Sequence, residues 1–118
     1  MGVATGDDVS GNQVRLRGRI STGPTERELP SGSVVVALRL SIPRESSPMT
    51  KSSRQTVDWV DCSAWGAAQR RTASKWREGD EVEVDGALRR RSSRGAGGFM
   101  TRVEVEILGG RVVRRAQT

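Results

Sequence analysis

Histidine and tyrosine are absent from this chain, and cysteine and phenylalanine occur once each, as Cys62 and Phe99. Without histidine there is no histidine-based catalytic triad and none of the usual zinc ligand sets. One thiol can form neither an internal disulfide nor a thiolate cluster. With no imidazole to activate it, Cys62 reads as a small buried hydrophobe rather than a nucleophile. No Gly-rich phosphate loop of the Walker type occurs. No cofactor, metal or small-molecule substrate is therefore expected. No stretch approaches the roughly 18 consecutive apolar residues of a membrane span. The N-terminal segment, residues 1–8, has neither a basic start nor an apolar run, so it does not read as a secretory signal, and position 6 lacks the Ser or Thr of a myristoylation pattern. The expectation is a cytoplasmic protein with no membrane partner.

Lysine is scarce as well. Of 20 basic residues only Lys51 and Lys75 are lysines, against 14 acidic ones, for a net charge of +6. The positive charge is therefore almost wholly arginine, a planar fork suited to phosphate and to stacking on rings. Such a balance points to a polyanionic partner, either nucleic acid or an acidic membrane surface. The 118 residues suffice for one domain with one core. A 34% hydrophobic content and 14 glycines fit a small β-rich domain better than a helical bundle.

Two of the three tryptophans, Trp59 and Trp65, lie six residues apart in a stretch that reads as a strand, residues 56–65. Side chains of a strand alternate with period two, so both rings share one face. The opposite parity, Val60, Cys62 and Ala64, suits a core. Between the rings stand Asp61 and Ser63, which a core face would not normally carry. The tryptophan face is thus expected to meet water, as a platform on which nucleic-acid bases stack. The plainer reading of Trp59 is a core or subunit-interface ring. Trp65, beside Gly66 at the strand end, could also fold back onto the body of the protein.

The rest of the chain divides as follows. Residues 1–11 read as a disordered lead. Val14 to Ile20 alternates as a first strand, with Val14, Leu16 and Ile20 inward and Arg15, Arg17 and Arg19 outward. Residues 21–33 carry Gly23, Pro24, Pro30 and Gly32 and read as a turn-rich connection. Val34 to Ile42 forms a second strand with Arg39 on its outer parity. Residues 43–55 form a polar, mobile loop containing Arg44, Lys51 and Arg54. After the tryptophan strand, residues 67–76 are the one short helix, and Trp76 is a plug for the barrel bottom. Glu78-Gly79-Asp80 is a turn. A fourth strand covers 81–89, with Val82, Val84 and Leu88 inward and Gly86 marking a bend or bulge. Residues 89–98 are a loop of Arg, Ser and Gly. A fifth strand runs over 99–108, with Val103, Val105 and Ile107 inward and Glu104 and Glu106 on a solvated face. It ends at Gly109-Gly110, and residues 111–118 form a basic tail. The domain proper is 12–110.

Five strands with one helix between the third and fourth is the order of an OB-fold, an all-β, five-stranded Greek-key barrel. That fold binds its ligand across strands two and three and between the loops joining strands one to two and four to five. Arg15, Arg17 and Arg19 either grip phosphate or form a cross-strand ladder with Glu81, Glu83 and Asp85.

Asn12-Gln13-Val14-Arg15-Leu16-Arg17-Gly18, Pro24-Thr25-Glu26-Arg27 with Leu29-Pro30-Ser31-Gly32, Trp59 through Trp65-Gly66, and the run from Glu78 to Leu88 resemble, in order and spacing, the bacterial single-stranded DNA-binding proteins over residues 12–110. The resemblance implies an OB-fold, sequence-tolerant binding of single-stranded DNA, no enzymatic activity, and a homo-tetramer or, less often, a dimer. It implies base stacking at Trp59 and Trp65 and backbone contacts at Arg89 and Arg91. The expected DNA-binding set is then Trp59, Trp65, Arg15, Arg17, Arg39, Arg44, Arg54, Arg89, Arg91 and Arg94, in a nucleoid-associated protein. Arg44-Glu45-Ser46-Ser47 and Ser92-Ser93 stand where family members often carry further aromatics. Gly23 replaces an aspartate, and the chain stops without the family's acidic tip, which suits either a truncated chain or a short paralogue. Two other readings stay open: a protein–protein interaction module anchored by the tryptophans, and an RNA-binding OB domain.

Overall fold

The computed structural model describes residues 11–95 and 97–117, with the backbone alone at 93–95. The expected lead at 1–11 lies, apart from Gly11, outside the described residues. The elements are β1 (Val14–Glu28), β2 (Val34–Pro43), β3 (Val57–Ala64), α1 (Ala67–Ser74), β4 (Glu81–Gly95) and β5 (Gly98–Arg114). They close into a barrel in the order β1-β2-β3-β5-β4. Neighbours are antiparallel except β3 and β5, which pair in parallel through Cys62 with Val105 and Ser63 with Glu106. A parallel neighbour requires a crossover. Here α1 and then β4, paired to β1, intervene before β5 returns beside β3.

Alternation sets the core as expected. Ile20, Leu38, Leu40, Cys62, Val82, Val84, Val105 and Ile107 are buried together. Ala73 of α1 and Trp76 just beyond it close one end, as expected for the plug. Trp76 lies so close to Gly110 that a Cβ there would stand 2.8 Å from Trp76 Cη2, so only glycine lets β5 pass under the indole. At Gly86 the β4–β5 register slips, and a Cβ would meet the Glu106 carbonyl oxygen at 2.1 Å. The bend or bulge expected at Gly86 is present as that register shift, and the nearby Glu106 carbonyl is why no side chain fits there.

Three elements run further than the sequence pattern indicates. β1 continues to Glu28 through the expected connection, across a cis Gly23–Pro24 bond and two register shifts, with Thr25 to Glu28 opposite Ala37 to Val34. The expected loop at 89–98 is instead two arms of a hairpin, paired from Leu88 with Val105 out to Gly95 with Gly98. Cross-strand hydrogen bonds need only a partner backbone, so a polar run can be strand without burial. β5 also passes through Gly109 and Gly110 and pairs to Arg114. The hairpin arms pair with each other beyond the β3 pairing, and among the described residues the hairpin's inward parity is open at two positions. Leu88 is 50% exposed and Val103 62%, which corrects the expectation that both point into the core.

Candidate nucleic-acid interface

The outer face of β3 carries Trp59, Asp61 and Ser63, and β2 sets Ser41, Arg39 and Ala37 opposite them. Trp59 is 64% exposed, so the indole stands on the surface as the polar alternation indicated. Beside it, Arg39 Nε donates to Asp61 Oδ1 at 2.9 Å. That hydrogen bond, together with the aspartate's charge, raises the Arg39 pKa and keeps its cation fixed. Arg44 Nε donates to Asp58 Oδ1 at 2.9 Å, while the Arg44 amide bonds the Thr56 carbonyl and closes the β2–β3 loop. Arg54 is exposed in that loop.

The β4–β5 hairpin leans over the far end of the same face. Arg89 Nε donates to Glu106 Oε1 at 2.9 Å, and Arg91 Nε lies 3.5 Å from Glu104 Oε1. The Arg91 guanidinium sits over the Trp65 ring, 5.3 Å from its centroid. Trp65 Nε1 donates to Ser63 Oγ at 3.0 Å, and the Ser63 hydroxyl donates to Glu104 Oε1 at 2.9 Å. Glu104 is only 5% exposed, so it is no solvated-face residue. Its outward parity was legible, but its burial comes from Ser63 and Arg91, distant in sequence. Trp65 itself lies beyond the last residue of β3 and is half-buried.

Between the β1–β2 hairpin and the β4–β5 hairpin lies a cleft of about 230 Å³. Arg27, Arg39, Arg91 and Arg102 line it, with Asp61 and Glu104. Arg27 and Arg102 are cationic residues that the sequence reading missed. Arg27 fell in what read as a turn-rich connection. Arg102 shares the outward parity of Glu104 and Glu106, so period-two counting along β5 marks its side. Cys62 lies beneath the cleft. Burial, with Asp61 and Glu104 adding to it, pushes its thiol pKa up to about 12, which leaves it an unreactive thiol.

Not all the expected cations gather here. Arg15 and Arg17 stand on the β1–β4 flank, where Arg15 pairs with Asp85 at 2.8 Å and Arg17 with Glu83 at 3.7 Å. The register sets Arg15, Arg17 and Arg19 opposite Asp85, Glu83 and Glu81, the ladder that the charges suggested. The Arg94 side chain lies outside the described residues.

Arg44 meets Asp58, which shares the inward parity of Val60 and Cys62 on β3, so this pair stands off the tryptophan face. Around the groove, Arg39, Arg89 and Arg91 each meet a carboxylate through Nε. That contact fixes the guanidinium plane and leaves the paired Nη donors to face a second acceptor, the side that suits phosphate. A closed five-stranded barrel, with one helix before β4 and a basic cleft between its first and last hairpins, is an OB-fold.

The chain belongs to the single-strand binding protein family, whose model matches residues 11–114. That family comprises non-enzymatic DNA-binding proteins. The chain is similar to the Single-stranded DNA-binding protein A of Bacillus subtilis (strain 168), at 29% identity over 80% of this chain. It spans 56% of that relative's length.

Proposed function

We propose that this protein binds single-stranded DNA without sequence preference and coats exposed strands in replication, repair or recombination. The observation that carries the reading is Trp59, a bare indole in the middle of an outer sheet face flanked by oriented arginines. An indole at 64% exposure forgoes the burial that large aromatics normally gain, and a base restores it by stacking. The pinned guanidinium groups of Arg39, Arg89 and Arg91 supply the phosphate contacts, and Arg27, Arg44, Arg54 and Arg102 extend the track. Kinship with a single-stranded DNA-binding protein supports the same assignment.

We further propose assembly as a homo-tetramer, with a dimer as the smaller form. The face of the projecting hairpin carrying Leu88, Phe99 and Val103 is exposed by half or more at each residue, and a second copy would cover it. We also propose that it works in the cytoplasm, associated with the nucleoid. No helix among the described residues is long and apolar enough to cross a membrane.

Titration with oligo-dT tests the reading. Tryptophan emission should fall as Trp59 is covered, while Trp76, 4% exposed, contributes a constant background. Binding should weaken with salt at a log–log slope of about −3 if four phosphates are neutralised on a single strand. Emission and affinity that ignore oligo-dT would refute the proposal. Salt-insensitive, weak association would point to a protein-interaction module, and preference for oligo-rU in competition would point to RNA.

The flank arginines give a second check with a small expected effect. Arg15→Gln should leave both the affinity for oligo-dT and its salt slope unchanged, because Arg15 faces Asp85 away from the groove. A shallower slope for that variant would show that the strand wraps onto the β1–β4 flank.

A further inference from the structure

We propose that at the Trp65 end of the groove the base stacks on the guanidinium plane of Arg91, with the indole as its pedestal and Glu104 as the residue that positions it. This rests on the single-strand binding reading and says which surface the base meets.

Four side chains form a closed circuit. Trp65 Nε1 donates to Ser63, Ser63 donates to Glu104, Arg91 faces the same Glu104 oxygen, and the Arg91 guanidinium returns over the Trp65 ring. At 5.3 Å from the centroid the cation is within cation–π range of about 6 Å. The ring cannot turn out of the circuit without breaking its Nε1 bond. The backbone beneath is held as well, since Arg70 Nε donates to the Trp65 carbonyl at 3.1 Å.

A base that displaced Arg91 to reach the indole would exchange one ring contact for another of similar strength. It would also strip a carboxylate that is 5% exposed of its counter-charge, which is costly in a water-poor setting. A base that lands on the outer side of the guanidinium breaks nothing. The Arg91 side chain keeps 32% of its surface exposed and lines the cleft. Arginine planes are established stacking partners for unpaired bases. The two ends of the groove therefore differ: a bare indole at Trp59, and an indole-backed guanidinium at Trp65.

The test uses the full chain, oligo-dT and four substitutions. In a Trp59→Phe protein, the emission left comes from Trp65 and buried Trp76, and saturating oligo-dT should quench it little, because the base lies on Arg91. Adding Arg91→Ala should bare the indole and deepen the quench. Arg91→Lys keeps the charge without the plane, so affinity should fall by roughly five- to 150-fold at an unchanged salt slope. Glu104→Gln should loosen Arg91 and reproduce the deeper quench in the Trp59→Phe background. A Glu104 that is only structural would lower thermal stability and leave the quench as it was. Deep quenching of Trp59→Phe alone, or Arg91→Lys binding as tightly as the native protein, would overturn the proposal. The Trp59→Phe measurement needs no change at Arg91, so it decides the matter even if an Arg91 variant fails to fold. Native protein that ignores oligo-dT would instead sink the single-strand binding reading itself.

Discussion

Trp59→Ala should weaken binding to oligo-dT by roughly five- to 150-fold while the protein melts as before. The range is the ~1–3 kcal/mol that one base–aromatic stack is worth by alanine substitution, converted at the usual tenfold per 1.4 kcal/mol. Thermal stability should hold because the indole, 64% exposed, contributes little packing to the barrel. The salt slope should hold too, because no phosphate contact is lost and the counterions released are the same. Trp59→Phe should recover most of the affinity, since any aromatic face serves a sequence-tolerant stack. Fluorescence anisotropy with a labelled oligonucleotide at two salt concentrations separates the stacking loss from a charge loss. If Trp59→Ala bound as tightly as the native protein but broke an oligomer, the indole would be an interface anchor and the groove would lie elsewhere.

The same residue shows how far sequence reasoning reaches. Trp59 was legible because polar residues share its parity on β3, and period-two counting is local information. The strands were legible for the same reason, as all five announce themselves by alternating apolar positions, around Leu16, Val36, Cys62, Val84 and Val105. The Arg15–Asp85 and Arg17–Glu83 pairs followed from complementary charges on strands that an OB-fold makes neighbours. What failed to show was structure fixed by partners remote in the chain. The second half of β1 is strand because β2 lies beside it, although Thr25-Glu26-Arg27-Glu28 has no apolar alternation. Leu88 and Val103 keep their core-like parity but lose their core, because the hairpin outruns the barrel. Glu104 and Glu106 read alike in the sequence. Only assembly shows that Ser63 hydrogen-bonds Glu104 and that Arg91 and Trp65 close the circuit around it, so the guanidinium over Trp65 was out of reach of any pattern.

Asp80→Ala should cost the fold about 2–4 kcal/mol, the penalty for two backbone donors left without an acceptor, and lower the melting temperature by roughly 10 °C or more. The Asp80 side chain is wholly buried at the α1 end of the barrel. It accepts the Arg77 amide at 2.9 Å and the Ala116 amide at 2.8 Å, and it pairs with Arg115 at 2.8 Å. It thereby ties the turn after α1 to the chain leaving β5. Asn, with one oxygen in place of two, should recover part of the loss. The pH dependence identifies the carboxylate as the cause. Burial by itself would raise the Asp80 pKa, but the Ala116 and Arg77 amides and the Arg115 charge outweigh it, and the net shift is downward. A carboxyl with a depressed folded pKa stabilises the fold fully above its unfolded value of about 3.9, and that contribution disappears as pH falls through the folded value. The gap in melting temperature between native protein and Asp80→Ala should therefore be constant at neutral pH and narrow below about pH 4. Differential scanning calorimetry of both proteins across that range makes the comparison, and the other carboxylates cancel because both chains share them. A gap that stayed constant into strong acid would mean that the ionised carboxylate is not what fastens the end of β5 to the helix turn.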